Sequence, residues 1–103
     1  MPNSFGKGLY IQHHGTIVVN GSAHFGDYCV VQAGVNVSKD VNGGGYIFLS
    51  AGAKIMIGVK IADYAIVGAN AVFTKDINEP NTVWAGVPAK YINNNGMKVD
   101  HVF

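Results

Sequence analysis

The chain has 103 residues; apolar side chains make up 49% of them, charged ones 13%, and the formal net charge is +1. This is one domain's worth of sequence. It is too apolar to be a disordered segment, and its scattered Lys and Arg form no basic patch of the kind used for nucleic acid or membrane surfaces. No apolar run reaches the length of a membrane span, the first residues lack the apolar core of a signal peptide, and the single cysteine, Cys29, suits a reducing bacterial cytoplasm.

The dominant signal is an internal period of six. Every sixth position from Ile11 is apolar and small or β-branched: Ile11, Ile17, Ala23, Cys29, Val35, Val41, Ile47, Ala53, Val59, Ala65, Ala71, Ile77 and Val83. For a chain half apolar, chance gives that run odds of roughly one in ten thousand. A bulkier column follows two residues later, at Val19, Phe25, Val31, Val37, Leu49, Ile55, Ile61, Val67 and Phe73, interrupted by Gly43. Turn-forming residues often come next, as at Asn20, Gly26, Ser38, Gly44 and Gly68. A six-residue unit fits neither a helix at 3.6 nor a strand alternating at 2, but it fits a short strand and a corner. Three such units close a triangular turn. The expectation is an all-β, single-stranded parallel β-helix of about 4–5 coils of eighteen residues, spanning residues 1–92, with a polar tail over 93–103. An ordinary β-sandwich, which alternates at two, does not hold one phase so long. The run Asn42-Gly43-Gly44-Gly45 keeps the phase, so it replaces a unit rather than adding a loop.

Taken in chain order, the bulky column extended back from Val19 lands on His13, in line with Val31, Leu49 and Val67 if every coil has eighteen residues. Two readings stand there. A histidine titrating near neutrality can serve as general base; or the first coil is frayed, since Lys7 also fails the column, and His13 is an edge residue. His14 and His24 occupy outward or corner positions, and His101 lies in the tail. A metal site from His13, His14 and His24 matches no ligand spacing, and no metal is expected. Cys29 lies in the small column and is expected to be a core thiol. Gly43-Gly44-Gly45 lacks the Lys-Ser/Thr and helix of a phosphate-binding loop.

Several segments resemble a known family. Gly8-Leu9-Tyr10-Ile11-Gln12-His13-His14-Gly15-Thr16-Ile17-Val18-Val19-Asn20 resembles the catalytic-histidine segment of bacterial serine acetyltransferases and capsular polysaccharide O-acetyltransferases. Ala51-Gly52-Ala53-Lys54-Ile55 and Val67-Gly68-Ala69-Asn70-Ala71-Val72 are similar to the coenzyme-binding coils of hexapeptide-repeat acyltransferases, and Trp84-Ala85-Gly86-Val87-Pro88-Ala89-Lys90 to their signature ending. The resemblance implies a left-handed β-helix and transfer of an acetyl group from acetyl-CoA to a hydroxyl of serine or a sugar. It also implies a homotrimer with sites between subunits. It places His13 as the base, Ala51, Gly52, Gly68 and Ala69 along the pantetheine arm, and Lys90 near the coenzyme phosphates. Gln12 stands where serine acetyltransferases have Asp, and their second active-site histidine, its neighbouring Arg and their N-terminal helical domain have no counterpart here. Two other readings follow: a trimerisation module without a complete acceptor site, and a γ-type carbonic anhydrase-like metalloprotein.

Overall fold

The computed structural model describes residues 4–12 and 16–97. Among them the chain forms short strands and no helix: β1 (Tyr10–Gln12), β2 (Val18–Val19), β3 (Val30–Gln32), β4 (Asn36–Val37), β5 (Asn42–Gly43), β6 (Phe48–Leu49), β7 (Lys54–Ile55), β8 (Lys60–Ile61), β9 (Ile66–Val67), β10 (Val72–Phe73), β11 (Val83–Ala85) and β12 (Lys90–Asn93). They stack as three ladders, β1-β3-β6-β9-β11-β12, β2-β4-β7-β10 and β5-β8, which are the three faces of a left-handed β-helix of about four turns. All pairs are parallel except β11–β12, where the chain turns back and covers the last coil. The peptide Val87–Pro88 is cis.

Both apolar columns are buried from Val19 to Phe73 apart from Gly43, whereas Ile11 at the open end is 44% exposed. Ala23, Val41, Ile47, Ala53, Ala65, Ala71, Leu49, Ile55 and Val67 have no accessible surface. Small residues of one column let the bulkier ones of the other fill the narrow triangular interior, which is why the six-residue unit alternates size. Gly43 holds its place because Phe25, from the coil below, occupies the space. A Cβ there would lie 2.6 Å from Phe25 Cε2 and 3.0 Å from Ile47 Cδ1, and Phe25 is itself stacked on Phe5 at 4.8 Å. The side at residues 42–45 is regular, with Asn42 and Gly43 in register with Lys60 and Ile61.

The corners repeat too. Gly8, Tyr28, Tyr46, Tyr64 and Asn81 all have φ near +60° to +70° at successive levels of one edge. The three tyrosines stack at 5.3 and 4.9 Å, and Lys7 Nζ lies 5.9 Å from the Tyr28 ring centroid. Glycine is required at the first level, because a Cβ on Gly8 would meet Cε1 of Tyr28 at 2.6 Å.

The register corrects the uniform eighteen-residue arithmetic at both ends. Between β3, β6 and β9 the offset is eighteen, but Tyr10 pairs with Val30 and Ile11 with Val31, twenty residues on. Val18 and Val19 pair with Asn36 and Val37 at eighteen again. Two extra residues therefore lie between Gln12 and Thr16, and Ile11 rather than His13 is in line with Val31 and Leu49. The first coil is not frayed at Lys7: Phe5 supplies the bulky position below Phe25. In the last coil the bridge Ile61↔Ile77 and the pair Val83↔Ile66 contract the repeat. Ile77 therefore moves to the bulky column and Val83 leaves the small one. Thr82 replaces Val83, fully buried, with its hydroxyl donating to Glu79 O at 3.0 Å. The chain stays attached beyond β12, where Gly96 N–H donates to Asn81 O and Met97 N–H to Tyr64 O.

Candidate coenzyme groove at one corner of the solenoid

The corner joining the β1/β3/β6/β9 face to the β2/β4/β7/β10 face collects the residues singled out for the coenzyme. Its levels are Ala33-Gly34, Ala51-Gly52 and Ala69-Asn70, with φ of 79°, 74° and 58° at Gly34, Gly52 and Asn70. A left-handed residue turns the chain through the corner, and Gly or Asn does so at least cost. Backbone hydrogen bonds run up the edge: Gly34 N–H to Thr16 O at 2.7 Å, Gly52 N–H to Ala33 O at 3.0 Å, Asn70 N–H to Ala51 O at 2.8 Å. Ala51 and Ala69 are exposed at successive levels, so a strip of backbone and methyl groups faces solvent. Lys90 belongs to the same end of the face. It pairs with Ala85, whose Cβ would lie 2.8 Å from a Cβ on Gly68, and Gly68 N–H donates to Trp84 O at 2.7 Å. The structure thus brings together Ala51, Gly52, Gly68, Ala69 and Lys90.

His13 and His14 lie outside the described residues. On either side of them, β1 ends at Gln12, and the Thr16 carbonyl accepts the Gly34 N–H at the foot of this corner. The column argument does not hold for His13, since the register assigns the bulky position to Ile11.

Sequence reasoning missed two residues. Gln32, at the end of β3, accepts the Ala51 N–H on Oε1 at 2.9 Å. That donor is engaged within the protein, while the Ala51 carbonyl keeps a second lone pair beyond its bond to Asn70. One coil on, the shorter Ser50 takes Gln32's place, so the two levels of the groove differ in chemistry. Asn70 is the other, its side-chain oxygen lying where a Cβ on Gly52 would fall. Nothing in the strand pattern marks either residue beyond an outward polar side chain.

Cys29 is buried, and burial raises its thiol pKa, with Asp27 and Asp63 adding to the rise. Its Sγ lies 3.7 Å from the carbonyls of Gly26 and Gly44, the surroundings of an inert core thiol. His24 is exposed and pairs through its backbone with Asn42. Among the described residues no three His, Cys, Asp or Glu side chains gather as metal ligands, and no helix is long and apolar enough to cross a membrane.

No family model matches the chain. It is 29% identical over 103 residues to a serine acetyltransferase of Synechococcus elongatus, covering 92% of this chain and 42% of that protein. Among solved structures, serine acetyltransferase of Neisseria gonorrhoeae superposes with a TM-score of 0.83 at 26% identity, covering 94% of this chain and 40% of the other. A serine acetyltransferase in complex with CoA superposes with a TM-score of 0.78 at 27% identity, covering 86% and 39%. The chain therefore spans about two fifths of the length of these relatives. The chain folds as a left-handed β-helix, and in sequence along most of its length and in backbone course it is similar to serine acetyltransferases.

Proposed function

We propose that the chain is an acetyl-CoA-dependent O-acetyltransferase that binds the coenzyme along the Ala33–Ala51–Ala69 corner and uses His13 as general base. The observation that carries this is the alignment of one corner. Small residues, exposed at Ala51 and Ala69, rise in register above the Thr16 carbonyl, in a chain similar to serine acetyltransferases, one of them solved in complex with CoA. An extended pantetheine arm needs a strip of small residues it can lie against, with carbonyl oxygens able to accept from its amides; Ala51, Gly52, Gly68 and Ala69 supply one, the N–H groups of Ala51, Gly52 and Gly68 being engaged within the protein. Lys90, beyond Ala85, suits the phosphate end.

In this mechanism His13 takes the proton of the acceptor hydroxyl as its oxygen attacks the thioester carbonyl. A hydrogen-bond donor at the site stabilises the tetrahedral oxyanion. Collapse expels the coenzyme thiolate, which takes the proton from His13. The acceptor is a hydroxyl of serine or a sugar, and three copies assemble so that each site lies between neighbours. The reduced, buried Cys29 suits a cytoplasmic setting. A His13→Ala variant is expected to lose about 10²–10⁴-fold in acceptor-dependent thiol release from acetyl-CoA. An unchanged rate would exclude His13 as the base.

The regular side at residues 42–45 favours a second reading. With no loop there to complete an acceptor pocket, the chain would be a trimerisation module without full activity. Calorimetry separates the two: coenzyme A binding supports the enzyme, and its absence supports the module.

A further inference from the structure

A concave site of about 390 Å³ is lined by Asp76, Asn78, Glu79, Trp84 and Tyr91, none of them a residue assigned to the coenzyme corner. Asp76, Asn78 and Glu79 belong to the segment entering β11, whereas the coenzyme corner follows the C-terminal ends of β3, β6 and β9. The volume is within the range of small-molecule sites.

Its chemistry is one-sided. Trp84 and Tyr91 stand edge to face, centroids 5.9 Å apart at 77°, giving two aromatic walls. Trp84 spends its indole N–H on Thr82 Oγ1 at 2.9 Å, and Tyr91 donates its hydroxyl to Asn94 Oδ1 at 2.8 Å. Asp76 is held in place by the Lys60 backbone N–H, which donates to its Oδ1 at 2.8 Å. What remains to face a ligand is π surface, two carboxylates and the Asn78 amide. None of the lining side chains is basic, and Lys75 adjoins Asp76 in sequence without lining the site. A neutral ligand would leave two like charges in one concavity, and an anion would add to them. A diffuse cation with an apolar surface satisfies both the rings and the carboxylates.

From these features we infer that this pocket binds an organic ammonium ion, a quaternary or multiply alkylated amine, independently of the coenzyme corner. Trp84 is the chain's single tryptophan, so its fluorescence reports the site directly. Titration of the full chain with choline is expected to give a saturable change. The uncharged isostere 3,3-dimethyl-1-butanol is expected to bind at least about ten times more weakly. Asp76→Asn, which keeps the acceptor for Lys60, and Glu79→Gln should each weaken choline about 5- to 10-fold, with unchanged circular dichroism and thermal midpoint. The choline-induced shift of the Trp84 indole N–H resonance provides a second measurement. Equal binding of the isostere, unaltered affinity in both folded variants, or no saturable response would overturn the inference. None of these outcomes bears on acetyl transfer.

Discussion

Gly43 interrupts the bulky column, and replacing it with alanine tests whether the interior is packed as tightly as its geometry indicates. The new methyl would lie 2.6 Å from Phe25 Cε2 and 3.0 Å from Ile47 Cδ1, whereas carbon atoms rest at about 3.5–4.0 Å. The Phe25 ring must then move by about 1 Å. It has little room, being 6% exposed and stacked on Phe5 at 4.8 Å and 12°. Overpacking of this kind costs about 1–3 kcal/mol, a large part of the roughly 5–15 kcal/mol that holds a domain folded. Phe25→Leu removes the ring atoms that collide, so Gly43→Ala in that background should cost almost nothing or stabilise by filling space. The double-mutant cycle is expected to give a coupling of about 1–3 kcal/mol, measured by urea unfolding followed by circular dichroism. A penalty below about 0.5 kcal/mol, or the same penalty in both backgrounds, would refute the account of why glycine stands in this column.

Tyr46 makes two ring stacks with φ of 58°, so Tyr46→Ala should lose about 1–3 kcal/mol. Tyr46→Gly should lose about 1 kcal/mol less, because glycine relieves the left-handed backbone; thermal melts of the pair check the ordering. Cys29 should react with Ellman's reagent only as fast as the chain unfolds. Because burial raises its pKa in the folded state, the stability it contributes is complete below the ordinary thiol range. That contribution falls as pH rises through the raised value, an alkaline loss that Cys29→Ser should reduce in pH-dependent melts. Lys90→Ala should raise KM for acetyl-CoA about 2- to 10-fold, matching the loss of one exposed charge-assisted contact, and leave kcat unchanged, as steady-state kinetics at varied acetyl-CoA will check.

Most of the solenoid was legible because a repeated apolar column is its own cause: Ile17 through Ala71 recur at six and line one interior. The two-residue enlargement near His13 was hidden by the same regularity. An insertion of two preserves strand alternation, and it slides one apolar column onto the other, so Ile11 still satisfied the period while standing beneath Val31. The period points to His13 through an offset that the hydrogen-bond register does not have, and its proposed role rests instead on the segment resembling the family. The contraction at Ile77–Val83 escaped notice for a similar reason, since isoleucine suits either column. Gln32 and its bond to Ala51 were out of reach, because a side chain crossing to the next level leaves no trace in a one-dimensional pattern. The aromatic walls of the Trp84 pocket were equally hidden, their residues being brought together by the reversal from β11 into β12.

The constant register in the middle of the solenoid also bears on how the chain folds. From Val18 to Phe73 the parallel ladders pair residues eighteen apart, so each closes a loop with a similar length-dependent entropic cost of about 2.6 kcal/mol. No single pairing is privileged by chain separation. Structure can then start at any central level and spread to its neighbours like a zipper, with contacts much closer in sequence than those of a sheet sandwich. The first and last levels, where the offset changes to twenty and to seventeen, break that uniformity. They should close last and open first, and hydrogen exchange at β1 and β11 should run ahead of exchange at β4, β6 and β7.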